Sequence, residues 1–318
     1  MIKKNVSELI SRNLNPQRGL KWQRYFCVVG AHAFLALGIM GCSGGPFSEG
    51  RLSKALQVGK IHNMTAHWVT QGPFTLLTQV HRHDPQTPLR VYIEGDGFAW
   101  VTRSRPSPDP TPRTPLALYL AEQDIRANTT QNIAWIARPC QYIMLSDPKQ
   151  RCAKKYWTSS RLAPEVIEAL DAAVSDLKRR TQASTVELVG YSGGGGAAVL
   201  VAAQRTDVVR LRTVAGNIDL GAFVRQHRVS QMQGSLNPLS VVSKVAHIPQ
   251  LHFVGAKDKI VPPIVSETFV QKVGRAARRI IVPDVDHGRR WIASWPRLLD
   301  IPFPHPKLPS VKKPGPAE

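Results

Sequence analysis

The five residues Gly190-Tyr191-Ser192-Gly193-Gly194 place a serine inside a glycine-rich turn. A short strand pattern (185–189) precedes the turn, and an alanine-rich helical pattern (197–205) follows it. G-x-S-x-G in that setting lifts a serine hydroxyl out of a sheet edge, and its glycines let two backbone segments pass closely. Serine becomes a nucleophile only when a base takes its proton, and the base needs an orienting carboxylate. Both have candidates downstream. A strand pattern at 249–254 runs into Gly255-Ala256-Lys257-Asp258, and another at 279–282 runs into Asp284-Val285-Asp286-His287-Gly288. Ser192 as nucleophile, Asp258 as acid and His287 as base follow in that order, each after a strand. The chemistry they could do is acyl transfer. Asp284, Asp286 and Asp219 are rival acids, although Asp286 adjoins His287 and is poorly placed to orient its ring.

Acyl transfer also needs two N–H donors for the developing oxyanion. The residue after the nucleophile, Gly193, supplies one at the start of a helix. The other is expected in the loop after an earlier strand, where Glu94-Gly95-Asp96-Gly97-Phe98 stands. The backbone of Asp96 or Gly97 is the candidate, and a plain turn is the bland alternative. Other glycine-rich readings fail. A phosphate-binding loop needs Lys-Ser/Thr after its glycines, but Ala197-Ala198 stands there, and the dinucleotide spacing G-x-G-x-x-G is missing.

The elements that must position these residues alternate. Strand patterns cover 74–80, 89–94, 132–137, 185–189, 208–214, 249–254 and 279–282. Helical patterns cover 115–127, 164–180, 197–205 and 289–299, and prolines stiffen 104–115. Such alternation implies an α/β fold with a mostly parallel central sheet and helices on both faces. Residues 220–245 lack clean strands and are expected to form a small cap segment.

The chain resembles an α/β-hydrolase over about 72–300, carried by Glu94 to Gly97, Gly190 to Gly194, Asp258 and His287. Many lipases have His-Gly where this chain has Glu94-Gly95. The chain is also similar to bacterial exported α/β-hydrolase lipoproteins. That likeness rests on Ile93-Glu94-Gly95-Asp96-Gly97-Phe98-Ala99-Trp100, Arg138-Pro139-Cys140-Gln141-Tyr142, Tyr156-Trp157-Thr158 and Gly234-Ser235-Leu236-Asn237-Pro238. The resemblance implies the fold and the triad, not a substrate. Cleavage of a carboxylic ester, in the manner of an esterase or lipase, is the expected activity. A serine peptidase on the same fold and a noncatalytic envelope lipoprotein remain open. No cofactor is expected. No metal is expected either, because no His/Cys cluster has ligand spacing.

The N-terminus reads as an address. Lys3, Lys4, Arg12, Arg18, Lys21 and Arg24 precede a mostly apolar stretch from Phe26 to Met40. That stretch is too short for a comfortable span and suits a signal peptide over 1–41. It ends in Gly41-Cys42 and resembles a lipobox, which makes Cys42 the lipidation candidate; Met40, two before the cysteine, departs from the usual small residue. A plain cleaved signal and an uncleaved anchor are the alternatives. The expected divisions are signal 1–41, tether 42–60, hydrolase domain 61–303 and a disordered proline-rich tail 304–318. Cys140 and Cys152 then remain, twelve apart, as a disulfide in an oxidising compartment or as two unpaired thiols.

The net charge is +20, and without 1–41 it is still +15, from 36 basic against 21 acidic residues. The basic residues are scattered pairs without zinc-finger spacing or an aromatic RNA-binding motif, so no nucleic-acid partner is expected. The expected partners are a small-molecule or lipid acyl substrate and, through a lipid anchor, a membrane. The expected location is the bacterial cell envelope, anchored to the outer membrane facing the periplasm, or free in the periplasm.

Overall fold

A computed structural model describes residues 46–127, 130–143 and 152–304. The expected signal, Cys42 and the tail beyond 304 lie outside the described residues. Strands rich in Val, Leu, Ile and Thr pair into one eight-stranded sheet in the order β1-β2-β4-β3-β5-β6-β7-β8. The strands are β1 (Thr65–Gln71), β2 (Phe74–His81), β3 (Leu89–Ile93), β4 (Asn132–Ile136), β5 (Val186–Tyr191), β6 (Val208–Val214), β7 (Gln250–Gly255) and β8 (Ala277–Val282). β2 pairs antiparallel with both β1 and β4, and every other pair is parallel.

Strand side chains alternate between two buried faces, as the two-residue period of a pleated strand requires. Val91, Ile93, Val186 and Leu188 face α3 (Pro164–Thr181) and α4 (Gly193–Ala202). Tyr92, Val189 and Tyr191 face α2 (Leu116–Ala127) and α8 (Arg290–Leu299). On that second face the Arg90 guanidinium bonds Asp124 at 2.6 Å and Glu187 at 2.8 Å, and the Tyr92 hydroxyl donates to Asp124 at 2.7 Å. These buried charges are paired and hydrogen-bonded, the condition under which charge is tolerated inside a fold.

The chain runs from β3 outward to β4 on one side, then crosses back to β5 on the other. The strand order thus reverses between β3 and β5, and the carboxyl ends of strands at such a switch point are the usual ligand position in an open α/β sheet.

Two expectations need correction at the amino end. A tether was expected over 42–60, but residues 46–60 are helical: α1 spans Pro46–Ile61. Ala55 is fully buried, and Leu52, Leu56 and Val58 pack against the α2–α8 face. Gln79 Nε2 donates to the Ala55 carbonyl at 3.1 Å, and Arg51 Nη1 to the Thr111 carbonyl at 2.8 Å. Glycine, serine and lysine dilute the apolar stripe and gave it the look of a linker. β1 is the second omission: an exposed antiparallel edge strand upstream of the first expected one. Residues 220–245 carry α5 (Leu220–His227), a 3₁₀ turn (Pro238–Val241) and α6 (Val242–Val245). Among the described residues, no helix is long and apolar enough to cross a membrane.

Candidate active site

Ser192 stands between β5 and α4 with φ 53° and ψ −121°, a strained backbone for a residue with a side chain. The glycines around it are steric necessities. A Cβ on Gly190 would collide with the Gly194 carbonyl, and one on Gly194 with the carbonyls of Ile93 and Glu94. The turn is held by Ser192 N–H on the Val214 carbonyl at 2.9 Å, and by the amides of Gly195 and Asn217 on the Ser192 carbonyl, both at 2.9 Å. The Ser192 hydroxyl does not cap α4; it lies 3.0 Å from His287 Nε2.

His287 is carried on the loop after β8, and its backbone carbonyl accepts from the Tyr191 hydroxyl. Its Nδ1 lies 2.7 Å from Asp258 Oδ2. Asp258, on the loop after β7, is 3% exposed. Its other oxygen accepts from the amides of Ile260 and Val261, both at 2.8 Å. Two backbone donors and one imidazole hold it as an oriented carboxylate. The structure thus brings Ser192, His287 and Asp258 into one chain of contacts from three loops at one sheet edge. The rival acids are engaged elsewhere: Asp284 pairs with Lys257 at 2.6 Å, Asp286 caps Gly288, and Asp219 caps α5 through Ala222 N–H.

The loop after β3 lies against this serine. A Cβ on Gly95 would stand 3.3 Å from Ser192 Cβ, and one on Gly193 would collide with the Asp96 carboxylate. Among the described residues, no hydrogen bond uses the amide of Gly193, Asp96 or Gly97, whereas that of Phe98 donates to the Pro110 carbonyl at 2.9 Å. Gly97 adopts φ 68°, which reverses the loop toward that bond.

Glu94, Arg138 and Arg161 were not singled out for the site from sequence, and Asp96 was singled out only for its backbone. The buried Glu94 carboxylate accepts from the amides of Gly95 (3.0 Å) and Ala117 (3.3 Å) and from the Trp135 indole (3.1 Å). Burial pushes its carboxyl up to about 7, against the pull of those donors. Asp96 pairs with Arg161 at 2.6 Å and with Arg138 at 3.4 Å. Burial is the largest influence on the Asp96 carboxyl and raises it; the two guanidinium charges outweigh this and hold it below the ordinary carboxylate range. The signal available for these residues was the departure of Glu94 from the lipase pattern and the isolated Arg138 ahead of Cys140. Cys140 and Cys152 form a disulfide with Cα atoms 5.4 Å apart. An open cleft of about 580 Å³ borders His287, walled by Lys257, Lys259, Ile260 and Arg290 among others.

With this geometry in view, the family model described as Serine hydrolase (FSH1) matches residues 110–287. No curated protein sequence matches the chain. Solved structures share the fold at low identity. An alpha-beta serine hydrolase homologue from Coxiella burnetii is 12% identical with a TM-score of 0.50, over 74% of this chain and 95% of that one. Est1E from Butyrivibrio proteoclasticus is 13% identical with a TM-score of 0.52, over 74% and 97%. A puromycin-hydrolyzing peptidase from Mycobacterium tuberculosis is 16% identical with a TM-score of 0.52, over 74% of this chain and 37% of that one.

Proposed function

The chain belongs to the FSH1 serine hydrolase family, and from that premise we propose that it cleaves a carboxylic ester through Ser192, His287 and Asp258. The observation that carries this reading is the unbroken relay of 3.0 Å from Ser192 Oγ to His287 Nε2 and 2.7 Å from His287 Nδ1 to Asp258. Ser192 Oγ attacks the ester carbonyl while His287 Nε2 takes its proton. Asp258 keeps the ring in the tautomer that leaves Nε2 free to accept, and stabilises the imidazolium that forms. The oxyanion of the tetrahedral intermediate is received by the amides of Gly193 and Asp96. His287 returns the proton to the departing alcohol, leaving an acyl-enzyme at Ser192. Water, activated by the same imidazole, then attacks, and the acid departs.

An ester is preferred to an amide because the chain is basic and its N-terminus reads as a lipid anchor, which would hold the site beside anionic lipid. The reading includes attachment to the bacterial envelope through Cys42. Incubation with a fluorophosphonate probe tests the chemistry directly. Labelling of the folded protein, abolished in Ser192→Ala, is the expected result. Turnover of the variant should fall by roughly 10⁴–10⁶. A chain-length series of acyl esters against peptide amides decides the bond, and faster amide cleavage would replace esterase by peptidase. An unlabelled wild-type protein would favour a ligand-binding role on the same scaffold.

A further inference from the structure

The Gly95–Asp96 peptide has its carbonyl held from behind. Gln141 Nε2 donates to the Gly95 carbonyl at 3.0 Å. In a trans peptide the carbonyl and the following N–H point in opposite directions. A donor fixed on the Gly95 oxygen therefore turns the Asp96 N–H away from Gln141. The loop is sandwiched: Gln141 Nε2 lies on one side, 2.8 Å from where a Gly97 Cβ would stand, while Asp96 packs on Gly193 and Gly95 on Ser192.

Gln141 is itself immobilised. It is 1% exposed. Its Oε1 accepts from the Arg138 amide at 3.1 Å, which fixes the orientation of the side-chain amide, since only the NH₂ end can serve Gly95. Its neighbours are pinned as well: Cys140 by the disulfide to Cys152, and Tyr142 by its amide on Thr111 Oγ1 at 2.8 Å. A buried amide needs partners, yet stability alone would not require one of them to be the carbonyl of this peptide.

We propose that Gln141 is a positioning residue that sets the Gly95–Asp96 peptide so that the Asp96 N–H meets the oxyanion beside that of Gly193. The proposal rests on the hydrolase reading above. Its consequence is a transition-state effect: the loop can bind substrate without Gln141 but receives the oxyanion poorly.

Two variants of the full chain test it, Gln141→Met and Gln141→Glu, assayed on a soluble p-nitrophenyl ester. Gln141→Met keeps the length and removes the donor. It should lower kcat by about 10–100-fold with KM within about threefold, somewhat less than outright loss of an oxyanion donor. Gln141→Glu presents a carboxylate to the Gly95 carbonyl at alkaline pH and a donating O–H once protonated. The ratio of its kcat to that of the unaltered protein should therefore rise as pH falls from 8 toward 5. A purely structural role would make the ratio follow the folded fraction, so it is read only at pH values where circular dichroism shows the variant folded, where such a role gives a flat ratio. If Gln141→Met fails to fold, this ratio still decides. Unchanged kcat in Gln141→Met, a loss confined to KM, or a flat Gln141→Glu ratio would each overturn the proposal. Fluorophosphonate labelling of the unaltered protein is run alongside. Labelling with an unaffected Gln141→Met sinks this inference alone, whereas no labelling at all rejects the hydrolase reading and this inference with it.

Discussion

Asp258 does two jobs with two oxygens, and a single substitution separates them. In Asp258→Asn the amide oxygen can still accept from Ile260 and Val261, so the loop and the melting temperature should be nearly unchanged. The amide NH₂ then faces His287 Nδ1 and forces the proton onto Nε2, where it blocks the base. Steady-state kinetics should show kcat down by roughly 10⁴. Glu94 gives a prediction of a different kind. Its folded carboxyl titrates near 7, above its ordinary 4.5. The folded state thus holds this proton to higher pH than the unfolded chain. The stability associated with it is fully present below about 4.5 and is lost as pH rises through 7. The span corresponds to about 3 kcal/mol. Glu94→Gln cannot ionise, so thermal melts from pH 5 to 8 should show the unaltered protein losing stability relative to this variant. The residues of the relay were legible in the sequence because strand-loop position and chain order name them. Gln141, Glu94, Arg138 and Arg161 were not, because their roles come largely from partners 23 to 65 residues away in sequence that only the fold brings near.

At the scale of elements, most of the α/β alternation could be read because buried strands and two-faced helices carry strong periodic signals. α3 is the clearest case, with Val166, Ile167, Leu170, Val174 and Leu177 all buried. α4 was anticipated only from residue 197, since four glycines open it and glycine is a poor helix former. The order of strands in the sheet was not legible at all. Placing β4 outside β3 is a choice among pairings made by side chains distant in sequence. α1 shows how composition misleads when a helix docks through a narrow stripe. Gly59 is small because Gln79 occupies the space beside it, not because the segment bends. If α1 is part of the fold, deleting residues 46–61 removes the contacts of Leu52, Ala55, Leu56 and Val58. Chemical denaturation should then register a loss on the order of 2–5 kcal/mol. A true tether would leave the midpoint where it was.

For the molecule as a whole, the proposed lipid anchor would act together with charge. The chain stays strongly basic without its first 41 residues, so a copy held at a membrane is drawn toward anionic headgroups. On that proposal, expression with residues 1–41 included should place the protein in the membrane fraction, and Cys42→Ser should move it to the soluble envelope fraction. Fractionation followed by immunoblotting checks this, and an unmoved variant would remove the lipid anchor from the reading.

The relay also ties chemistry to the completion of the sheet. Ser192 leaves β5, Asp258 leaves β7 and His287 leaves β8, the last strand among the described residues and an outer edge of the sheet. On the mechanism proposed above, a chain that has collapsed around β3 to β6 holds the nucleophile and the Gly193 and Asp96 amides but has no base. β8 pairs with β7 only 27 residues away in sequence, Gln250 opposite Ala277. Yet on the proposed mechanism nothing is competent until that pairing brings His287 to Ser192, and a chain clipped before β8 should be unreactive. Covalent capture of Ser192 during refolding would accordingly serve as a clock for the closing of the final strand.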